Sequence, residues 1–162
     1  MSENSTTQLS AGVIRTNLPM ADGRTIRYYD SGSVARTATD QRPIEAQPGI
    51  GELRFDPLVS EWVAVASHRQ GRVFLPPKEL CPLCPTRDDL LSEIPDSSYQ
   101  VVVFDNRSPS FTVPSAGWEL TAHPDIFSPD IEAAGKCEVI CYTDHHEGSF
   151  GELPLTQIRM VM

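Results

Sequence analysis

The protein has 162 residues, of which 40% are hydrophobic and 22% charged, a composition that is typical of a globular domain and excludes a collagen, a coiled coil or a wholly disordered chain. Its formal net charge of −9 argues against a nucleic-acid partner, because an acidic surface repels the phosphate backbone. No apolar run approaches the roughly 20 residues that span a bilayer, and no leader-like pattern opens the chain. We therefore expect a cytoplasmic protein with no membrane partner.

The first 48 residues are polar and contain one pattern that favours regular structure. Residues 21–24 (Ala-Asp-Gly-Arg) are typical of a turn, and strand-forming residues follow at 25–29. This pattern predicts a strand arm near residues 21–29 within an otherwise loosely ordered extension. We accordingly divide the chain into an extension, 1–48, and a domain, 49–162.

Within the domain, four segments have the composition of strands, and the turn-rich residues 105–136 are expected to be mostly loop. The first two strands are separated by a predicted turn at residues 56–60. The predicted strands are Glu52–Phe55, Glu61–Ala66, Gln100–Phe104 and Cys137–Thr143.

The last residues, Leu155–Met162, predict the beginning of a helix with Thr156 as its cap. A helix shorter than roughly 12 residues is marginal in water. We therefore expect the chain to be a truncated part of a longer protein, and the alternative is a short helix that docks by its apolar side.

Cys81 and Cys84 form a C-x-x-C motif in a proline-rich loop. This spacing allows two thiolates from one turn to reach a single tetrahedral ion. The alternative interpretation is a thioredoxin-like redox pair. Such a pair lies at the start of a helix that follows a strand, and the surrounding prolines disfavour a helix here. Cys137 and Cys141 are about 13 Å apart if they lie on one strand, so we expect both to be buried strand residues.

His145 and His146 follow directly after the last predicted strand. A histidine at a strand end can supply a third ligand to an ion that is held by the cysteine pair. The alternative is a solvent-exposed histidine pair between Asp144 and Glu147.

Two further patterns suggest substrate contacts. Arg69 and Arg72 lie three residues apart in a basic loop, where forked guanidinium groups can bind a diphosphate. Phe104, Asn106 and Arg107 end an apolar strand and offer an aromatic face, an amide and a guanidinium. The alternatives are a solvated basic surface for the first pattern and a simple Asx turn for the second.

Six short motifs occur along the chain in a fixed order. They are R-F-D-P-L at 54–58, E-W-V at 61–63, S-H-R-Q-G-R at 67–72, C-P-L-C-P at 81–85, V-V-F-D-N-R at 102–107 and G-K-C-E-V-I-C at 135–141. Together they resemble the N-terminal half of the galactose-1-phosphate uridylyltransferases, a family of the histidine-triad superfamily. The resemblance covers about residues 20–162.

The resemblance implies a zinc-containing nucleotidyltransferase that exchanges UMP between UDP-glucose and galactose 1-phosphate by a ping-pong route. It also implies an α+β fold, here the N-terminal half of a mainly antiparallel sheet, and a homodimer in the full-length protein. UDP-glucose, UDP-galactose and a hexose 1-phosphate would then be its small-molecule partners.

Site residues follow from the same resemblance. Cys81, Cys84 and His146 match three zinc ligands, and His145 occupies a preceding position that is not a ligand. Arg69 and Arg72 match the family's basic loop, which contacts the nucleotide sugar of the neighbouring subunit in the dimer. The turn that holds the uridine is matched by Phe104, Asn106 and Arg107.

The family's fourth zinc ligand and its nucleophile both lie in a later H-x-H segment, of which the second histidine is the nucleophile. Neither has a counterpart in this sequence, because no H-x-H occurs here. The resemblance therefore assigns no catalytic residue to this chain, and these residues alone are expected to bind without transferring UMP. Two alternatives remain. One is a non-catalytic, truncated zinc- and nucleotide-sugar-binding product, and the other is a related phosphorylase acting on a nucleotide sugar or dinucleotide.

Overall fold

A computed structural model describes residues 4–9, 12–46, 49, 51–70, 76–87, 90–113, 117, 119 and 130–162. Within these residues, two sheets of antiparallel strands and one α-helix give an α+β architecture. The elements are β1 (Ser5–Gln8), β2 (Val13–Pro19), β3 (Thr25–Ser31), β4 (Glu52–Asp56), β5 (Glu61–Val65), β6 (Val101–Asp105), β7 (Ile131–Glu132), β8 (Glu138–Cys141) and α1 (Leu155–Val161). None of the helices in these ranges is long and apolar enough to cross a membrane.

The chain divides into two compact units, each with its own sheet. The five-stranded unit comprises residues 1–46, 75–105 and 138–162, and its strand order is β1-β2-β3-β6-β8. The three-stranded unit comprises residues 47–74 and 106–137, and its strand order is β5-β4-β7.

The N-terminal residues are not the loosely ordered extension that we expected. They contribute β1, β2 and β3 to the five-stranded sheet, with β3 paired to β6. The turn predicted at residues 21–24 is confirmed, since Met20 and Arg24 bond through their main chains at 2.8 Å and Gly23 has a φ of +86°. Non-glycine residues rarely adopt this conformation, which explains the glycine there. The division at residue 48 into extension and domain stays a prediction.

The core of the five-stranded unit is formed by alternate residues of its central strands. Ile26 and Tyr28 of β3 are fully buried, as are Val102 and, at 2% exposure, Phe104 of β6. This alternation follows from the pleat, which turns successive side chains to opposite faces. The core therefore covers one face of the sheet where β3 and β6 meet.

A buried charge ends this alternating series on β3. Asp30 is 2% exposed, and its two carboxylate oxygens accept hydrogen bonds of 3.0 and 2.6 Å from the guanidinium of Arg36. The same guanidinium donates to the carbonyl of Ser98 at 2.7 Å and lies over the ring of Tyr28. The charge on Asp30 is tolerated in the interior because this bidentate partner replaces water.

The three-stranded unit contains the two strands predicted around residues 52–66, and both are confirmed. The turn between them is an Asx turn, in which the amide of Leu58 donates to the carboxylate of Asp56 at 2.9 Å. Phe55 and Trp62 pair edge to face across the strands, with ring centroids 5.6 Å apart.

The predicted terminal helix is also confirmed, but its predicted cap is wrong. Pro154 occupies the N-cap position, no side chain caps the helix, and Thr156 lies inside the first turn. Proline serves here because its ring restricts φ and its missing N–H leaves no donor unsatisfied. The side-chain Nε2 of Gln157 donates to the carbonyls of Gln100 and Tyr142, and these bonds fasten α1 to the ends of β6 and β8.

Candidate metal centre

The C-x-x-C motif forms a tight turn in the five-stranded unit. A 3-10 turn over Lys78–Leu80 leads into Cys81, and the amide of Cys84 donates to the carbonyl of Cys81 at 3.4 Å. The segment is irregular, as its prolines predict, so the pair does not lie at a helix start. Both thiols are half-buried and free.

His146 reaches this turn from the loop that follows β8. Its Nδ1 atom lies 3.2 Å from the sulfur of Cys84. A ring nitrogen of His146 and the sulfur atoms of Cys81 and Cys84 all lie within 4.8 Å of one another. Two thiolates and an imidazole are a donor set that binds transition metals rather than magnesium or calcium. The structure thus brings together the three residues that the sequence predicted.

The neighbouring histidine does not join this group. His145 is exposed, and its Nε2 atom lies 3.8 Å from a carboxylate oxygen of Asp144. Its amide donates to the hydroxyl of Thr143 at 3.2 Å, a local turn that shapes the loop before His146.

The surroundings of Cys84 favour its neutral thiol. Burial raises the pKa of the Cys84 thiol, and the adjacent Cys81 raises it further. Burial likewise raises the pKa of the Cys141 thiol, to about 11. Because thiolates are the metal-binding form, an ion that binds to Cys84 must displace a proton.

An ion pair links the two segments that carry the ligands. The Nζ atom of Lys78, shortly before the cysteine turn, lies 2.6 Å from a carboxylate oxygen of Glu147, the residue after His146. Their proximity raises the pKa of Lys78 and lowers that of Glu147. Both groups are exposed, so water and salt screen the pair.

Sequence reasoning missed two residues at this centre, Cys141 and Tyr99. With the predicted ligands they line a cleft of about 260 Å³. We expected Cys141 to be a buried strand residue, and it is half-buried at the end of β8. No spacing in the sequence connects it with Cys84, because only the pairing of β6 with β8 places it beside the cleft.

The predicted basic loop lies in the three-stranded unit. Arg69 ends a 3-10 turn over Ser67–Arg69, is exposed, and donates from Nη1 to the hydroxyl of Ser110 at 2.7 Å. In the same unit, Nε2 of His68 lies 3.0 Å from the carbonyl of Pro109. Arg72 falls outside the described residues, so its role stays a prediction.

The residues of the predicted uridine-binding turn differ in their burial and in their contacts. Asn106 forms an Asx turn, accepting a hydrogen bond of 3.0 Å from the amide of Ser108, and Arg107 is half-buried. Phe104 belongs to the core, with Arg24 lying 5.9 Å from its ring centroid. Stacking of a base on Phe104 stays a prediction, and it would require that buried ring to become accessible.

Comparisons with known proteins agree on one family. The profile described as galactose-1-phosphate uridyl transferase, N-terminal domain, matches residues 44–162. A galactose-1-phosphate uridylyltransferase of Streptomyces lividans is 36% identical over 149 residues, which are 91% of this chain and 36% of that protein.

A second relative is similar over a shorter stretch. The galactose-1-phosphate uridylyltransferase of Thermotoga maritima is 35% identical over 113 residues, which are 68% of this chain and 33% of that protein. The chain thus spans about a third of the length of these curated relatives. No solved structure matches the chain.

Proposed function

The chain belongs to the galactose-1-phosphate uridylyltransferase family, and from this membership we propose that it is the metal-binding, N-terminal part of an enzyme that exchanges UMP between UDP-glucose and galactose 1-phosphate. The observation that carries the proposal is the convergence of Cys81, Cys84 and His146 from two separate loops. These are the positions at which the family resemblance places metal ligands.

The ion proposed for this cluster is zinc. Zinc–sulfur bonds of about 2.3 Å and zinc–nitrogen bonds of about 2.0 Å in a tetrahedral site place ligand atoms roughly 3.5–3.8 Å apart. The three donors lie within 4.8 Å of one another, and the pair formed by Cys84 and His146 is already at 3.2 Å. The donor set therefore fits zinc after small side-chain adjustments. When bound, the ion would cross-link the cysteine turn to the loop after β8.

Substrate binding is assigned to the three-stranded unit and to the end of β6. Arg69 and Arg72 would bind the phosphates of the nucleotide sugar, where positive charge stabilises phosphoryl oxygens during transfer. Asn106 and Arg107, with Phe104, would contact the uridine. The nucleophile and the fourth zinc ligand are assigned to residues outside this sequence, since it contains no H-x-H segment.

The remaining parts of the proposal concern the whole protein. We propose a histidine-triad-like sheet and a homodimer in which the basic loop contacts the nucleotide sugar bound to the neighbouring subunit. We also propose a cytoplasmic location. The last point is supported by the free thiols in the metal cluster, because a reducing compartment keeps such thiols available for metal.

The metal site can be tested with a matched pair of histidine variants. Zinc and cobalt(II) binding to the chain is measured by chelator competition and by the cobalt–thiolate absorption band. His146→Ala should weaken binding by at least tenfold, whereas His145→Ala should leave it within about twofold. Equal loss in the two variants, or equal retention, would contradict the assignment of His146.

The activity is tested on the native gene product with UDP-glucose and galactose 1-phosphate. The expected result is formation of UDP-galactose and glucose 1-phosphate, with competition by UDP-sugars but not by ADP- or GDP-sugars. Preference for ADP-sugars would favour the phosphorylase alternative. Binding of UDP-glucose and zinc without any exchange would favour the non-catalytic alternative.

A further inference from the structure

The third ligand of the metal cluster lies on an exposed loop, so its position depends on the contacts that hold that loop. His146 is five residues beyond the end of β8 and is exposed. Its Nδ1 atom nevertheless lies 3.2 Å from the sulfur of Cys84. Contacts that hold the main chain between β8 and His146 would therefore help to position this ring.

Tyr99 provides a buried contact with this loop. It lies two residues before β6, is 6% exposed, and its hydroxyl donates to the main-chain carbonyl of Thr143 at 2.6 Å. A tyrosine hydroxyl, with an ordinary pKa of about 10, is protonated across the physiological range, so this group remains a donor. The same side chain lines the cleft that contains Cys81, Cys84 and His146.

Thr143 connects this contact with the residue that precedes His146. Its carbonyl is held by Tyr99, and its own hydroxyl accepts a hydrogen bond of 3.2 Å from the amide of His145. One residue upstream, the carbonyl of Tyr142 accepts from the side chain of Gln157 on α1 at 2.6 Å. Hydrogen bonds from the core and from the helix therefore fix two successive carbonyls just before the metal ligand.

We propose that Tyr99 is a positioning residue of the metal centre, whose hydroxyl fixes the loop that presents His146 to Cys81 and Cys84. This inference rests on the metal site of the proposed function. It assigns Tyr99 no contact with the ion or with substrate. Residues that orient metal ligands typically change metal affinity by 10- to 100-fold when they are removed.

The test compares two buried tyrosines of the same unit. Tyr99→Phe removes the hydroxyl that holds Thr143, while Tyr28→Phe removes a fully buried hydroxyl that accepts from the amide of Asp96 at 3.4 Å. Zinc affinity should fall by about tenfold in Tyr99→Phe and change by less than about twofold in Tyr28→Phe. The cobalt(II) spectrum of Tyr99→Phe should also show weakened imidazole coordination.

A second readout requires no metal. In the metal-free chain, the amide of His145 should exchange hydrogen faster in Tyr99→Phe than in the wild type, and Tyr28→Phe should leave this amide unchanged. Thr143→Val, which removes the hydroxyl bonded to that amide, should also accelerate exchange and weaken zinc binding even if Tyr99→Phe folds poorly. Unchanged exchange at His145 in a folded Tyr99→Phe variant, with faster exchange in Thr143→Val to show that this amide reports on the loop, would overturn the proposal.

The outcomes separate this inference from the proposed function. A wild-type chain that binds zinc, with Tyr99→Phe binding equally well, would overturn the positioning role alone. A wild-type chain that binds neither zinc nor cobalt(II) would overturn the metal site itself and the positioning role with it.

Discussion

The five-stranded and three-stranded units use the same antiparallel pairing, but an arginine–aspartate pair is buried in the first and exposed in the second. In the five-stranded unit, the side chains of Arg36 and Asp30 are only 5% and 3% exposed. In the three-stranded unit, Arg54 pairs with Asp130 at 3.4 Å while both side chains remain about half exposed, at 53% and 50%. A buried charge depends on its partner, whereas an exposed charge has water as an alternative. Similar ion pairs should therefore contribute very differently to the two units.

The apolar residues differ in the same way. Four side chains of β3 and β6 form a shared core at or below 2% exposure. In the three-stranded unit, Val63 of β5 is 45% exposed and the Phe55–Trp62 pair is half-buried. Strand pairing by itself therefore does not show where stability resides, because the two units differ in what they bury.

The largest effect is expected from the core of the five-stranded unit. Phe104→Ala should lower the free energy of unfolding by about 3–5 kcal/mol, because it removes a buried aromatic ring and leaves a cavity. Val63→Ala is the control in the other sheet and should cost less than about 0.5 kcal/mol. Urea unfolding, with hydrogen exchange to assign the loss to each unit, measures both. Equal costs would contradict the contrast between the units.

The next largest effect is expected from the buried ion pair. Arg36→Met should destabilise the five-stranded unit by about 3 kcal/mol, because it leaves the carboxylate of Asp30 buried without its partner. Arg54→Met should change the other unit by at most about 0.5 kcal/mol. Adding Asp30→Asn to Arg36→Met should recover part of the loss, and failure to recover any would show that the buried charge is not the cause.

Metal binding should increase the difference in stability between the two units by an intermediate amount. Zinc at 100 times its dissociation constant should stabilise the five-stranded unit by about 2.7 kcal/mol relative to the chelated protein, since only the folded form has the assembled site. The three-stranded unit should show no change in hydrogen exchange. Because the pKa of Cys84 is raised, zinc affinity should also increase as pH rises. A pH-independent affinity would contradict thiolate binding.

The smallest expected effect is the pH dependence contributed by Asp40. Burial alone would raise the pKa of this carboxyl, but hydrogen bonds from Arg42 and from the amide of Ala21 outweigh it, so the pKa is lowered. A group with a lowered folded-state pKa stabilises the protein above its unfolded pKa and loses that contribution as pH falls. Stability should therefore decrease below about pH 4. Asp40→Asn should reduce this slope in urea titrations, and an unchanged slope would exclude Asp40 as its source.

Local patterns in the sequence were sufficient for much of the fold. The turn before β3, the β4–β5 hairpin, β6 and β8 were all predicted, because alternating apolar residues and turn residues act over a few positions. The metal group Cys81, Cys84 and His146 was predicted through motif order, and the structure brings these side chains together.

The same local reasoning failed for β1 and β2. Their segment looked too polar to fold, yet it is held by pairing with β3 and, beyond the strands, by ion pairs that link distant parts of the unit. Arg24 and Arg42 both pair with Glu93, at 2.6 and 2.9 Å, and such partners cannot be identified from residues 1–46 alone.

The sequence by itself determined the family, the local turns and strands, and which residues could bind a metal, because each depends on neighbouring residues or on short motifs. Only the tertiary structure decided that the polar N-terminal residues enter the main sheet, that Phe104 is buried, and that Tyr99 contacts the loop leading to His146. These outcomes depend on contacts between segments far apart in the chain. The free energies of these contacts arise from burial and from the identity of distant partners, and neither can be identified from a local sequence pattern.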